Sequence, residues 1–157
     1  MEKQTPTVTA QMLIRKDVSE VFNAFIEPSI TKEFWFTKSS GKLEENKEII
    51  WTWEMYQVSC KVIAREIIPN QRIKFDWFDD DGKFTQVVFD FKALNSNATY
   101  VSVVNSGFHQ TGDELIATLK DSTGGFTMVL AGLKAYLEHG INLNLIGDKC
   151  PKELNQH

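Results

Sequence analysis

Aromatic side chains are the clearest candidates for chemistry in this sequence, and the chemistry they suit is non-covalent. Several alternate along strand-like segments and others lie in helix-like segments; the set comprises Trp35, Trp51, Trp53, Phe75, Trp77, Phe89, Phe91 and Phe126. Such side chains can line a pocket that holds an apolar molecule. Aromatic residues at strand spacing also build ordinary cores, so we expect the set to divide between core and pocket wall.

Four polar residues could orient a ligand in such a pocket. If Val101 and Val103 face inward, Asn105 does too, because side chains alternate along a strand. Asn105 could hydrogen-bond a ligand but cannot act as a general acid or base. His109 follows the same strand and could donate to a ligand or titrate near neutral pH, although a surface position before a helix also fits. The hydroxyls of Tyr56 and Tyr100 could reach a ligand or face outward.

Catalytic and metal-binding signatures are scarce. The sequence has no Gly-x-Ser-x-Gly, no Gly-rich phosphate loop and no His-Glu-x-x-His motif. His109, His139 and His157 each lack a second ligand at metal-binding spacing. The acidic run from Asp79 to Gly82 fits a solvated hairpin turn better than a calcium loop. We therefore predict no metal, no cofactor and no catalytic residue. An enzyme is the less favoured alternative, and it stays open because active sites can assemble from distant strands.

Length and composition limit the class of protein. The chain has 157 residues, 42% hydrophobic and 24% charged, which predicts one globular domain over residues 1–157, with 141–157 as a tail. A net charge of −4 with dispersed lysines and arginines argues against a nucleic-acid partner. Without an apolar leader or a run of about 20 apolar residues for a membrane span, we expect a cytoplasmic protein. Cys60 and Cys150 are expected to be reduced, with a disulfide between them as the alternative.

Hydrophobic periodicity predicts the elements that would position these residues. Residues 7–14 alternate as a strand, Asp17 and Glu20 form a capping box at the start of a helix, and a second short helix follows. About five to six strands come next, with Asp76 on a polar and solvated face, and then a long helix runs over residues 113–138. This order predicts an α+β fold with its helices on one face of an antiparallel sheet.

Five segments carry a resemblance to a known family. They are IRKDVSEVFNAF from Ile14, ITKEFWF from Ile30, EIIPNQRIKFDW ending at Trp77, ATYVSVVNSGF ending at Phe108, and GGFTMVLAGLKAYLEHG from Gly124. Over residues 8–140 the chain resembles the START/SRPBCC superfamily of helix-grip folds and, within it, the family named after the activator of the heat-shock protein 90 ATPase. That family commonly has Gly-Trp where this chain has Gly125-Phe126, and often a more titratable residue near Asn105.

The resemblance implies a curved antiparallel sheet of about six strands wrapped around the long C-terminal helix, with two short helices after the first strand. It also implies a cavity between sheet and helix, whose wall would add Val103, Asn105, His109, Gly125 and Val129 to the aromatic set. Gly124 and Gly125 each cost a helix interior about 1 kcal/mol relative to alanine. We expect the pair to face the sheet or the cavity; a local kink without functional meaning fits equally well.

Three functions stay open. The first is binding of a hydrophobic small molecule, such as a lipid or polyketide, in the cavity. The second is the chaperone partnership that the family name implies, although the eukaryotic activator carries much of that function in a further N-terminal domain. The third is a cyclase- or hydrolase-like enzyme, which would need a titratable residue with a perturbed pKa inside the cavity. A monomer or a homodimer would fit, and the tail could pack as an extended segment, cover the cavity mouth or meet a second chain.

Overall fold

The structure, a computed structural model, describes residues 5–154. In chain order its elements are β1 (Val8–Ile14), α1 (Val18–Ile26), α2 (Pro28–Thr31), β2 (Lys38–Ser39), β3 (Glu48–Trp53), β4 (Val58–Ile68), β5 (Arg72–Phe78), β6 (Phe84–Asn95), β7 (Ala98–Ser106), α3 (Gly112–His139) and α4 (Leu145–Lys149). Two 3₁₀ turns cover Glu54–Tyr56 and Lys152–Leu154. The predicted α+β class and the two short helices after the first strand are confirmed.

The seven strands form one antiparallel sheet in the order β1-β7-β6-β5-β4-β3-β2. The helix-grip architecture is confirmed, with one strand more than the predicted six, because the two residues of β2 are too few to show a period. The register places Ala10, Val103, Phe89 and Ile73 in one row across β1, β7, β6 and β5. All four are at most 6% exposed, so this row belongs to the inward face of the sheet.

Local sequence sets the limits of the helices α1 and α3. The carboxylate of Asp17 accepts a hydrogen bond from the N–H of Ser19 at 2.7 Å, which satisfies one free amide at the start of α1. The helix α3 continues through Gly124 and Gly125, as its unbroken apolar stripe predicts. It ends at Gly140, whose φ of 66° lies in the left-handed region that favours glycine at this position.

The helix α3 contacts β1 more than any other strand. Near its C-terminal end, Glu138 Oε2 accepts hydrogen bonds from the N–H of Arg15 at 2.9 Å and from Lys134 Nζ at 2.6 Å. Lys134 also donates to the carbonyl of Leu13 at 2.9 Å. Burial disfavours the ionised form of Glu138, but these donors outweigh it and hold its pKa below the ordinary value. The network therefore fixes the C-terminal part of α3 to the end of β1.

The tightest packing of α3 involves Gly132. A Cβ atom at Gly132 would stand 3.2 Å from the Cβ of Phe34 and 3.3 Å from its carbonyl oxygen. Phe34 is buried, so it has little freedom to move away. The close approach that could have explained Gly124 and Gly125 thus belongs to a third glycine, two turns further along the helix.

Two arginine–aspartate ion pairs between neighbouring strands have the same N–O distance, but their carboxylates are buried to different extents. Arg65 Nε donates to Asp76 at 2.8 Å and Arg72 Nε donates to Asp90 at 2.8 Å. The side chain of Asp76 is 8% exposed, whereas that of Asp90 is 42% exposed. The predicted solvation of Asp76 was wrong, because strand parity does not reveal that Arg65, where the register of β4 shifts, lies against it.

The tail folds back onto the domain through the short helix α4, so extended packing, one of the three arrangements that the sequence left open, does not describe residues 145–149. The hydroxyl of Tyr56 donates to the carbonyl of Ile146, and the N–H of Cys150 donates to the same hydroxyl at 3.3 Å. The side chain of Ile146 packs against the core. Residues 155–157 of the predicted tail lie outside the described residues.

Candidate functional site

A cavity of about 640 Å³ lies between the sheet and α3, and it is open to solvent at one end. Strands β3 to β7 supply one wall, and the middle of α3 supplies the opposite wall. The residues that follow β7 and the tail complete it through Phe108, His109, Ile146 and Lys149. Because α3 packs mainly on β1, a gap remains between the helix and the strands further across the sheet.

The wall of the cavity is mainly aromatic, and its rings hold one another in place. The indoles of Trp53 and Trp77 stack with their centroids 5.9 Å apart and their planes 6° from parallel. Phe126 of α3 meets Trp77 edge-on, at 6.1 Å and 90°. The ring centroid of Trp35 is 5.8 Å from that of Trp77 and 6.1 Å from that of Phe126. The four rings, linked by these contacts through Trp77, present a rigid apolar surface on which a hydrophobic molecule can lie.

The thirteen residues predicted to bind a ligand divide between this wall and the core. Eight line the cavity: Trp35, Trp53, Trp77, Asn105, His109, Gly125, Phe126 and Val129. The other five do not line it and are at most 6% exposed in the packed core: Trp51, Phe75, Phe89, Phe91 and Val103. The structure thus brings together the members of the set that lie towards one end of the sheet.

The short helices and the segment after them account for this division. Phe22 of α1 packs against Phe91 with ring centroids 5.3 Å apart, and Phe25 packs against Phe89 at 4.6 Å. Phe36 covers Trp51 at 5.0 Å. These side chains fill the inward face where α1 and its neighbours cover it, which leaves the cavity beyond them.

Gly125 lines the cavity, and a Cβ at this position would meet no atom within 4 Å. At Gly124 a Cβ would stand 3.3 Å from Lys149 Nζ, the flexible end of a tail side chain. From the sequence we expect the glycine pair to face either the sheet or the cavity, and Gly125 lies on the cavity wall. Its missing side chain leaves space open inside the cavity and does not serve close packing.

Asn105 points inward as strand parity predicts, but its amide is engaged with the protein. Its Nδ2 donates to the carbonyl of Gln86 at 3.0 Å, and its Oδ1 accepts from the hydroxyl of Ser122 at 2.8 Å. Asn105 is 5% exposed. It therefore links β6, β7 and α3 at the cavity wall, and a ligand would find most of its hydrogen-bonding capacity already used.

His109 lies at the cavity mouth opposite the hairpin between β5 and β6. Its Nε2 is 3.4 Å from Asp79 Oδ2, and its side chain is 33% exposed. The other oxygen of Asp79 accepts from the backbone N–H groups of Asp81 at 2.9 Å and Lys83 at 3.0 Å. The acidic run is thus a hairpin turn stabilised by Asp79, with His109 at the rim.

Both cysteines line the cavity, and both are free thiols. Burial raises the pKa of Cys60 to about 12, against a smaller opposing effect of a hydrogen bond from Trp77. The thiol of Cys60 is therefore protonated at neutral pH and a poor nucleophile. Cys150 is exposed in the tail.

Several wall residues escaped the sequence analysis. Cys60 and Val58 share the apolar side of a predicted strand, and Ser122 is the polar member of the apolar stripe of α3, so local signals could have indicated them. Ile146 and Lys149 reach the cavity only because the tail folds back, which no local pattern predicts.

Within residues 5–154, no group of three or more histidine, cysteine, aspartate or glutamate side chains is placed to hold a metal ion. None of the described helices has both the length and the apolar character needed to cross a membrane.

Comparisons with known proteins agree with this architecture. A protein from Staphylococcus saprophyticus is 27% identical, with a TM-score of 0.75 over 88% of this chain and 96% of its own. The Aha1 dimer from Colwellia psychrerythraea is 17% identical, with a TM-score of 0.73 over 86% and 98%. An HSP90 activator from Plasmodium falciparum is 14% identical, with a TM-score of 0.65 over 84% and 96%. The last two likenesses concern the fold alone.

No curated protein matches the chain. The family model described as activator of Hsp90 ATPase homolog 1-like protein matches residues 16–138, well over half of the sequence. The chain belongs to the activator of Hsp90 ATPase homolog 1-like family.

Proposed function

We propose that this protein binds a hydrophobic small molecule in the cavity between the sheet and α3. The observation that carries the proposal is a cavity of about 640 Å³ lined by Trp35, Trp53, Trp77 and Phe126. Small-molecule pockets are typically about 300–1,000 Å³, mainly apolar, with a few polar groups that orient the ligand. This cavity matches that description in size and in composition.

The affinity would come mainly from burial of apolar surface against the four rings. Each Å² removed from water contributes roughly 25 cal/mol, before the entropic costs of association are subtracted. Because the rings already pack against one another, a ligand would lose little free energy in ordering them. Gly125 supports the same interpretation, since a larger side chain there would occupy the space that the ligand needs.

Native mass spectrometry of the purified protein, repeated after denaturing organic extraction, tests the proposal. We expect a mass excess that extraction releases, or uptake from a panel of lipids and flavonoids. Gly125→Leu should abolish uptake while the protein stays folded, and Ala117→Leu, on the exposed side of the same helix, should not. A clean apo mass with no uptake from the panel would refute the proposal.

Regulation of a chaperone is the second candidate function, and family membership supports it. The apolar side chains Val58, Phe84 and Ile116 are each about half exposed and could contact a protein partner. ATPase assays with a purified Hsp90-type chaperone would test this function, with Phe84→Asp as the variant expected to lose stimulation. No stimulation by the wild-type protein would rule the function out for that chaperone.

An enzyme on an apolar substrate is the third candidate, and the cavity gives it little support. Of the titratable groups in the wall, Cys60 has a pKa displaced towards the protonated thiol, which is the direction that lowers nucleophilicity. We therefore assign no catalytic residue.

A further inference from the structure

Four polar side chains of the cavity wall are already paired with other groups of the protein. Asn105 and Ser122 bond to each other at 2.8 Å, and Asn105 also bonds to the carbonyl of Gln86. The hydroxyl of Tyr56 donates to the carbonyl of Ile146. Thr118 donates to the carbonyl of Glu114 at 2.9 Å. A ligand polar group therefore has few partners left among them.

The indole N–H groups of Trp35 and Trp53 are different. Neither finds a nitrogen or oxygen acceptor among residues 5–154, whereas the indole of Trp77 interacts with the thiol of Cys60. Trp35 is 6% exposed and Trp53 is 8% exposed. In the described part of the chain, the side-chain polar atom that is both fully buried and unpaired is Gln110 Oε1, an acceptor of the same cavity wall. Both unpaired indole nitrogens therefore keep some accessible surface.

We take the accessible N–H of Trp53 to face the cavity, because this side chain is 8% exposed and forms part of the wall. Its orientation is fixed by the stacking on Trp77, with the planes 6° from parallel. Trp35 also borders a second, smaller cavity of about 110 Å³, so the direction of its N–H is less defined. Trp53 thus presents a fixed hydrogen-bond donor on an apolar surface.

A fixed donor selects between ligands of similar shape. A purely hydrocarbon ligand would remove water from this N–H and leave it unpaired, which costs binding free energy. A ligand with an acceptor at that point avoids the cost, and sites built around a hydrogen bond reject analogues that lack the partner. Buried tryptophan N–H groups usually have such a partner.

We propose that the ligand carries a hydrogen-bond acceptor, such as a ketone, ester or ether oxygen, that accepts from the indole N–H of Trp53. Trp53 is then a residue that contributes to specificity, and the neighbouring rings of the wall supply apolar contact. This inference rests on the proposed function, since it concerns the ligand of the same cavity.

A pair of probes tests the inference: 2-acetylnaphthalene and 2-ethylnaphthalene, which have similar shapes and differ in the carbonyl. Their dissociation constants are measured by quenching of tryptophan fluorescence for the wild-type protein and for Trp53→Phe. The preference for the ketone over the hydrocarbon should fall about threefold to tenfold in Trp53→Phe, the range expected for one hydrogen bond. Trp51→Phe, in the core behind the wall and not lining the cavity, is the matched control and should keep the wild-type preference.

A second measurement needs no variant. In protein with ¹⁵N-labelled indoles, the ketone should move the N–H proton resonance of Trp53 downfield, and the hydrocarbon should not. An unchanged preference in folded Trp53→Phe, or equal shifts with both probes, would overturn the inference while leaving binding itself intact. If the wild-type protein binds neither probe, the inference is overturned for ligands of this size, while the proposed function is decided separately by native mass spectrometry and extraction.

Discussion

Two alanine substitutions on the helix α3 are expected to change stability in opposite directions. At Gly125 an added Cβ meets no atom within 4 Å, so Gly125→Ala should raise the free energy of unfolding by about 1 kcal/mol through helix propensity alone. At Gly132 the same gain is opposed by contacts of 3.2 and 3.3 Å to Phe34. Overpacking costs about 1–3 kcal/mol, so Gly132→Ala should range from neutral to a loss of about 2 kcal/mol.

Urea denaturation of both variants against the wild-type protein measures the difference. An increase in the midpoint for Gly125→Ala and a decrease for Gly132→Ala, with equal slopes, would match the structure. Destabilisation by Gly125→Ala would refute the view that this glycine faces open space. A stabilising Gly132→Ala would show that Phe34 moves aside easily and that the helix packs less tightly there.

Three further predictions concern contacts away from the cavity rings. Asp76→Asn should lower the free energy of unfolding by about 2 kcal/mol and Asp90→Asn by less than about 1 kcal/mol, because only the first carboxylate is buried; equal losses in urea denaturation would contradict this. Glu138 has a lowered pKa, so its stabilisation holds at neutral pH and is lost as the pH falls below about 4.5. Acid titration of Glu138→Gln should therefore show a weaker loss of stability with falling pH, and Glu153→Gln, on the exposed tail, should match the wild-type protein. Tyr56→Phe should speed amide exchange at residues 146–150 and leave the sheet unaffected; unchanged exchange there would remove the role given to this hydroxyl.

The order of the elements follows from the sequence because its signals are local. Alternation along each strand identified the inward faces, including Trp53, Trp77 and Asn105, and the continuous apolar stripe carried α3 through its glycine pair. The resemblance then supplied the way in which sheet and helix combine. Neither signal contains the distance between a strand residue and the helix across from it.

The lack of this distance explains where the structure differs from the predictions made from the sequence. Trp51 and Trp53 share a strand face, yet only Trp53 lines the cavity, because Phe36 covers Trp51. The burial of Asp76 depends on Arg65 from the neighbouring strand. The contribution of the tail depends on Tyr56, which lies about ninety residues earlier in the chain. Each of these outcomes is set by tertiary packing, which overrides local preference.

The pairing of β1 with β7 has a consequence for how the chain folds during synthesis. Val8 pairs with Asn105, and Ile14 with Thr99, so the first strand of the sheet finds its partner strand only after the five strands β2 to β6 have been made. At a synthesis rate of about 5–20 residues per second, β1 stays without its partner strand for roughly 5–20 s until β7 has been synthesised. The helix α3, which also packs on β1, follows later still. The apolar side of β1 is therefore exposed to chaperones and to other chains for longer than any other strand of this protein.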